Sequence, residues 1–254
     1  MSRSLAKWDR RIERANELAA RHPFAAEALS FYARIAGFQK SFYGGLEGHL
    51  EGSPGSLRGG LDLSVLRPWF PRYLSLIADI APPPLARSAA ELRSDVLEEF
   101  WAGGELPAAE SLIAWTFLQP YAERIADQAG PVETQSALCP LCSRRPQVGV
   151  LRQLGDGAKR SLICSLCATE WEYRRIVCPA CGEEDVNKLP VYTAEDLGHV
   201  RVEACDTCRH YIKTVDLTKD GRAVPVVDEL AAIPLSLWAS ENGYTKLSPN
   251  LLGL

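Results

Sequence analysis

All eight cysteines of the chain sit in Cys-x-x-Cys turns: Cys139 with Cys142, Cys164 with Cys167, Cys178 with Cys181, and Cys205 with Cys208. A turn of this kind aims two sulfurs at one point while neighbouring backbone amides donate to them, and two such turns close a tetrahedral thiolate cage. Whatever fold the chain adopts must bring the turns together two by two. The intervening segments suggest how. Val148 to Leu154, Gly155-Asp156-Gly157 and Lys159 to Ile163 read as strand, tight turn and strand, a hairpin that joins the first and second turns. Lys188 to Thr193, a turn at Ala194 to Gly198, and Val200 to Ala204 repeat the plan between the third and fourth. A further strand follows each second turn, Glu170 to Val177 and Tyr211 to Leu217. The offsets match: 39 residues separate Cys139 from Cys178 and 41 separate Cys164 from Cys205, an internal repeat. We therefore pair the first turn with the second and the third with the fourth. Pairing the second with the third, across only ten residues, would leave the outer turns to meet over a long span. The strand from Ala168 to Val177 then links two centres that are at most about 30 to 35 Å apart when it is extended.

Three chemistries use such cysteines. Disulfides belong to oxidising compartments, and the segment Met1-Ser-Arg-Ser-Leu-Ala-Lys-Trp-Asp-Arg-Arg11 carries charges where a signal peptide needs its apolar stretch. A thioredoxin-like redox turn uses one Cys-x-x-Cys at a helix N-terminus, whereas these lie between strand patterns. Metal binding accounts for all four turns at once. A closed four-thiolate site ordinarily replaces a hydrophobic core in a small module, with zinc and no open position for chemistry. Four sulfurs in a tetrahedron suit iron as well, so ligand type does not choose the metal. None of the four histidines, His22, His49, His199 and His210, is needed as a ligand. His210, two residues past Cys208, is near enough in sequence to donate to a sulfur.

The first 130 residues have another texture. Leu5, Trp8, Ile12, Ala15, Leu18 and Ala19 form a helical stripe over Ser4 to Ala20. Phe24, Ala28, Phe31, Ile35, Phe38 and Phe42 form a second after Pro23, stopped by Gly44-Gly45. Gly44 to Gly60 holds seven glycines and reads as a loop, with His49 solvated in it. Further helices are expected over Leu63 to Ile80, over Leu85 to Trp101 after Ala81-Pro82-Pro83-Pro84, and over Pro107 to Ala129. The pattern changes at Gly130-Pro131. A last helix is expected from Asp228 to Asn242, with Leu230, Ile233, Leu237 and Trp238 as its apolar face and Pro234 kinking it or delaying its start. The fold class is therefore α+β and multidomain. A helical domain spans residues 1–133, tandem four-cysteine modules of zinc-ribbon type span 134–177 and 178–222, and a C-terminal helix and tail span 223–254. A hydrophobic share of 46% over 254 residues supports a real core.

Charge narrows the function. The formal net charge is −4, with 14 basic against 17 acidic residues up to 138, 11 against 11 from 139 to 216, and 3 against 4 beyond. Eight thiolates around two divalent metals add roughly −4 to the cysteine segment. Such a surface argues against a phosphate-backbone binder. The longest uncharged apolar runs, Ser111 to Ala122 and Leu230 to Ser240, fall short of the ~18 residues a membrane-spanning helix needs. The expectation is a soluble cytoplasmic protein with neither nucleic acid nor membrane as partner. There is no nucleotide loop, no nucleophile and base at motif spacing, and no three-ligand metal site with a vacancy, which points away from an enzyme.

The strings Cys139-Pro-Leu-Cys142, Leu162-Ile-Cys-Ser-Leu-Cys-Ala-Thr-Glu-Trp171, Val177-Cys-Pro-Ala-Cys181 and Glu203-Ala-Cys-Asp-Thr-Cys208 follow an ordered pattern. In that order they resemble the FdhE family of formate dehydrogenase accessory proteins. The run Cys-x-Leu-Cys-x-Thr-Glu-Trp, followed by a short strand and a third Cys-x-x-Cys, is specific to that family, and a generic zinc ribbon has no need of it. The resemblance continues through Asp228-Glu-Leu-Ala and Glu241-Asn-Gly-Tyr and covers the helical half more loosely. There are two departures. Against longer relatives the resemblance leads one to expect this chain to be without their N-terminal extension, and Ser143 and Arg209-His210 stand where small residues are expected beside the turns.

The resemblance implies a cytoplasmic maturation factor that does not itself oxidise formate. Its eight cysteines would hold two rubredoxin-like iron centres, and it would bind the catalytic subunit of a molybdenum or tungsten formate dehydrogenase. The ligands themselves leave zinc open. Two other readings of the cysteines remain: a zinc-ribbon adaptor for nucleic acid or protein, and a small thiolate-iron electron-transfer protein. Glu170 and Trp171, beside Cys167, would tune or shield the first centre, or Trp171 would simply fill the small core of its module.

Overall fold

The amphipathic N-terminal stripe closes as α1 (Arg3–Arg21), and Pro23 opens a single 3₁₀ turn that leads into α2 (Ala26–Gly45). These positions come from a computed structural model, which describes residues 3–49, 57–59, 61–130 and 132–253. Of the glycine-rich segment, Gly44 and Gly45 end α2, residues 46–49 and 57–59 form turns and a bend, and residues 50–56 and 60 lie outside the described residues. The helix expected over Leu63 to Ile80 is two, α3 (Leu63–Leu66) and α4 (Phe70–Ile80). Pro68 and Pro71 would each remove an amide donor from its middle, and Pro71 is tolerated only in the first turn of the second helix. Leu85 to Trp101 also divides, into α5 (Pro83–Glu91) and α6 (Asp95–Ala102). Leu92 turns extended, and Asp95 and Glu98 favour a fresh helix N-terminus. Helix α7 (Ala108–Ala126) runs straight through Pro120. A proline there leaves the carbonyl four residues back without its donor, and Gln39 Nε2 from α2 donates to that Thr116 oxygen at 2.6 Å.

The cysteine region forms β1 (Pro146–Leu154), β2 (Gly157–Cys164), β3 (Glu170–Glu172), β4 (Val191–Thr193), β5 (Val200–Ala204) and β6 (His210–Asp216). They make one sheet in the order β3-β2-β1-β6-β5-β4, with β7 (Thr245–Lys246) beside β6. Each repeat supplies three antiparallel strands. The repeats join where β1 and β6 run parallel, Val148 opposite Lys213 and Leu151 opposite Asp216. Gly149 makes that junction possible, because an added Cβ would lie 2.3 Å from Thr214 Oγ1. The strand expected through Val177 stops at Glu172. Arg160 holds the departing chain, with Nη1 donating to the carbonyls of Arg174 (3.0 Å) and Val177 (3.4 Å) and its guanidinium 5.5 Å from the Tyr173 ring centre. The sheet, rather than a linking strand, connects the two halves.

The last helix is also two, α8 (Pro225–Ala231) and α9 (Ile233–Glu241), with Pro234 in the first turn of α9. Restarting at Ile233 rotates the buried face to Leu235, Ser236 and Ala239 and leaves Leu237, expected inside, 48% exposed. Helix α8 packs on α1 and α2 on one side and on β1 and β6 on the other. Its adjacent carboxylates serve the two sides. Asp228 accepts from Arg14 Nη2 of α1 (2.6 Å), while Glu229 meets Lys213 (3.1 Å) and Lys246 (3.0 Å) from the sheet. One apolar core runs from the helices into the first cysteine segment, and a second lies between the sheet and α9. Among the described residues no helix is long and apolar enough to cross a membrane.

Candidate metal centres

Every Cys-x-x-Cys turn is built by the same device. The amide of the first cysteine donates to the carbonyl five residues on, Cys139 to Arg144, Cys164 to Thr169, Cys178 to Glu183 and Cys205 to His210, each at 2.9 Å. The fourth residue after that cysteine is left-handed in all four turns: Ser143 (φ 59°), Ala168 (52°), Gly182 (79°) and Arg209 (57°). Only one of these is the glycine such a conformation favours. Of the departures from small residues, Ser143 and Arg209 thus sit at the left-handed position, and His210 lies just beyond it. Arg209 is braced from outside, with Nη1 3.0 Å from Asp206 and its guanidinium 3.9 Å from the Tyr244 ring centre.

The turns meet in the pairs that the hairpins imply. Cys139, Cys142, Cys164 and Cys167 form one group and Cys178, Cys181, Cys205 and Cys208 the other, with the sulfurs of each group all within 4.8 Å of one another. In the first group Cys139 Sγ lies 3.5 Å from Cys167 Sγ, and Cys142 Sγ lies 3.3 Å from Cys164 and 3.7 Å from Cys167. In the second, Cys178 to Cys208 and Cys181 to Cys205 are both 3.7 Å. A tetrahedron of thiolates about 2.3 Å from a central ion has edges of about 3.8 Å. The donor set and spacing fit one four-coordinate ion per group, so the two sites could hold two metal ions.

Electrostatics within the first group shift its thiols' pKa values in opposite directions. Hydrogen bonds from Cys142, Cys164 and Cys167 draw the Cys139 thiol far below its ordinary range, while burial holds that of Cys164 well above. In the second group burial raises Cys208, whereas Cys205, against its own burial, is lowered by the amides of Cys208 and Thr207. Four crowded thiols therefore ionise unequally by themselves, and a cation at their centre favours all four thiolates together. Amides of Leu166 and Ala180 donate to Cys164 Sγ (3.4 Å) and Cys178 Sγ (3.3 Å). Thr169 Oγ1 lies 3.0 Å from Cys167 Sγ. Sequence reasoning passed over Thr169, although its place in the Cys-x-Thr-Glu-Trp string was the available signal.

The two groups differ in their surroundings. Trp115 Nε1 and Gln119 Nε2 of α7 both donate to the Ser165 carbonyl, at 2.8 and 3.1 Å, and Arg144 lies 4.7 Å from the Phe100 ring centre and donates to its carbonyl. Helices thereby grip the first group. Among the described residues no comparable helix contacts hold the second, in which Cys181 is exposed and Cys208 partly so. Trp171 is buried and donates to the Ser136 carbonyl at 3.0 Å, so it fills the core and ties down the segment before the first turn. Glu170 pairs with Arg152 at 2.8 Å. His210 Nδ1 meets the Cys208 carbonyl (2.9 Å) rather than a sulfur, and His199 Nε2 meets Asp228 (2.7 Å).

Residues 138–175 match the family model described as FdhE, central domain, and residues 176–252 match FdhE, C-terminal domain. A relative from Aquifex aeolicus called Protein FdhE homolog is 28% identical over 214 residues, covering 80% of this chain and 75% of its own length. Protein FdhE of Escherichia coli is 27% identical over 271 aligned positions, covering 96% of this chain and 86% of that protein. The crystal structure of the FdhE protein from Pseudomonas aeruginosa superposes with a TM-score of 0.76 at 28% identity, over 99% of this chain and 96% of that one. With both cysteine-bearing segments matched by FdhE domain models and the fold shared over 99% of the chain, the chain is similar in sequence and in structure to the FdhE proteins.

Proposed function

We propose that the chain is an accessory protein of the FdhE type that binds the catalytic subunit of a molybdenum or tungsten formate dehydrogenase in the cytoplasm during its maturation. The observation that carries this reading is the pair of closed four-sulfur cages in a chain similar to the FdhE proteins. Such cages have no vacant position for substrate, so the role lies in docking or in redox poise rather than in bond-making on a bound molecule. Cys139, Cys142, Cys164 and Cys167 would hold one ion, and Cys178, Cys181, Cys205 and Cys208 the other. Family resemblance favours iron, which supplies reversible one-electron chemistry when bound, and the same cage accepts zinc. In this reading residues 1–133 are the helical scaffold and residues 134–177 and 178–222 the two modules.

Anaerobic purification with metal analysis, using a tagged formate dehydrogenase catalytic subunit as bait, tests the reading. Two metal equivalents per chain and capture of the subunit are expected. Failure to capture it under reducing conditions refutes the proposal. The exposure of Cys181 supports a second reading, a thiolate-iron electron carrier, for which redox-silent zinc would be fatal.

A further inference from the structure

Beside the second cysteine group the surface is concave. A hollow of about 220 Å³ opens there between β5, β6 and the chain on either side of Cys178. Its rim carries Ile176, Val186 and Val191, which are 54%, 62% and 51% exposed, three of the most exposed large apolar residues described. The hollow is smaller than the roughly 300–1,000 Å³ of sites that enclose a small molecule. It suits one or two side chains of a segment lying across it. Clustered apolar exposure at a concave place marks a contact surface rather than an accident of the fold.

The floor adds charge. Arg160, Arg175 and Arg201 line the hollow against Glu203, the one acidic residue in its lining. Arg160 Nη2 and Arg201 Nε both meet that carboxylate, at 2.7 and 3.0 Å. Arg175 makes no ion pair among the described residues, and the Nε of Arg160, a residue only 3% exposed, is buried with no partner. Apart from its cysteines the lining thus carries three guanidiniums against one carboxylate, with Arg175 unpaired among the described residues. Val191 belongs to β4, the end strand of the sheet, and among the described residues no strand pairs with its outer side. An extended segment can align along such an edge.

We infer that this hollow docks an extended, apolar segment of the partner subunit that carries a carboxylate, set beside the second four-cysteine group. The inference rests on the accessory reading above and names the surface it uses. Apolar side chains of the segment fill the rim, and its carboxylate faces the exposed Arg175. The first group cannot play this part, because α6 and α7 cover it.

The test measures the affinity of the purified full chain for the tagged catalytic subunit under reducing conditions, with metal content determined for each variant. The double variant Val186→Asp with Val191→Asp should bind at least about tenfold more weakly, as expected when apolar anchors become anions facing a carboxylate. Arg175→Glu should weaken binding severalfold and flatten its salt dependence. Leu154→Asp, 65% exposed at the far tip of the β1–β2 hairpin, should bind like wild type. Should the double variant lose metal, Arg175→Glu, which alters an exposed side chain, decides alone. Unchanged affinity of the metal-loaded rim variants, or an equal loss in Leu154→Asp, overturns the surface and leaves the accessory reading standing. No binding by wild type overturns both.

Discussion

Replacing Glu229 by glutamine keeps the shape of the side chain and deletes one charge at the join between the helical layer and the sheet. Glu229 and Lys213 are wholly buried. The carboxylate lies 3.1 Å from Lys213 Nζ and 3.0 Å from Lys246 Nζ and accepts from Asn250 at 3.1 Å. Removing one partner of a buried ion pair typically costs about 3–5 kcal/mol, because the other charge is left uncompensated. Lys213 has one escape, which is to lose its proton. Burial already brings its pKa from 10.5 to about 8 with Glu229 in place. Deprotonation from an unfolded value of 10.5 costs about 5 kcal/mol at pH 7 and about 2 kcal/mol at pH 9, at about 1.4 kcal/mol per pH unit. The wild type gives up the same proton at about pH 8, so the penalty of Glu229→Gln, about 3–5 kcal/mol at pH 7, shrinks by at most about 1.4 kcal/mol by pH 9.

The sign follows from proton counting. A lysine whose folded pKa lies below its unfolded one binds fewer protons when folded, so stability rises with pH between the two values. In the variant that interval starts lower, and the gap to wild type narrows as pH increases. Urea unfolding followed by tryptophan fluorescence at pH 7 and pH 9 measures it, with an unchanged m-value confirming that the same surface unfolds. A loss below about 1 kcal/mol at pH 7, the size of a surface pair, would refute the argument, as would a loss that does not shrink at pH 9.

Three other outcomes are expected. Ser143→Gly should raise the stability of the metal-loaded chain by about 0.5–1 kcal/mol and Gly182→Ala lower it by about 1 kcal/mol, since both positions are left-handed; thermal melts showing no opposite trend would deny that strain. Cys142→Ser should release one metal equivalent and leave the other, and loss of both would break the assigned pairing. Acid should destabilise the join. Against the burial that raises them, Arg14 and His199 hold Asp228 below the usual carboxylate range, and Lys213 and Lys246 do the same for Glu229. The stability these two add is complete above the unfolded carboxylate values near 4 and lost as pH falls through the folded ones. A chain whose stability was flat from pH 5 to pH 3 would contradict this.

Local patterns in the sequence carried over where local physics decides. The stripes of α1 and α2, the two hairpins and the pairing of the cysteine turns rest on periodicity and on turns a few residues long. The break at Leu92 did not carry over, because the residues there hold no strong stop signal, whereas Pro234 had marked the last helix for the interruption that falls at Ala232. The exposure of Leu237 follows from the same restart. Parallel pairing of β1 with β6 was equally hidden: Val150 meets Val215 across the whole cysteine region, and nothing in either strand marks its partner. The site divides likewise. Its eight sulfurs were legible from spacing, whereas Thr169 and the α7 donors Trp115 and Gln119 act through space. Asp228 and Glu229 stood out only as a family string, and their opposite duties emerge from what packs on each side of α8.

That parallel junction also sets an order in time. The first repeat is complete once β3 has been made, with both turns of its cysteine group in hand, yet β1 then has one side unpaired. An unpaired strand edge attracts other strands. It stays open until β6, which lies just beyond the last cysteine turn, has emerged and docked. The second four-sulfur cage therefore stands at the latch of the sheet. A chain arrested before Cys208 would hold a finished first cage next to a raw edge, and only closing the second gives the molecule its continuous surface.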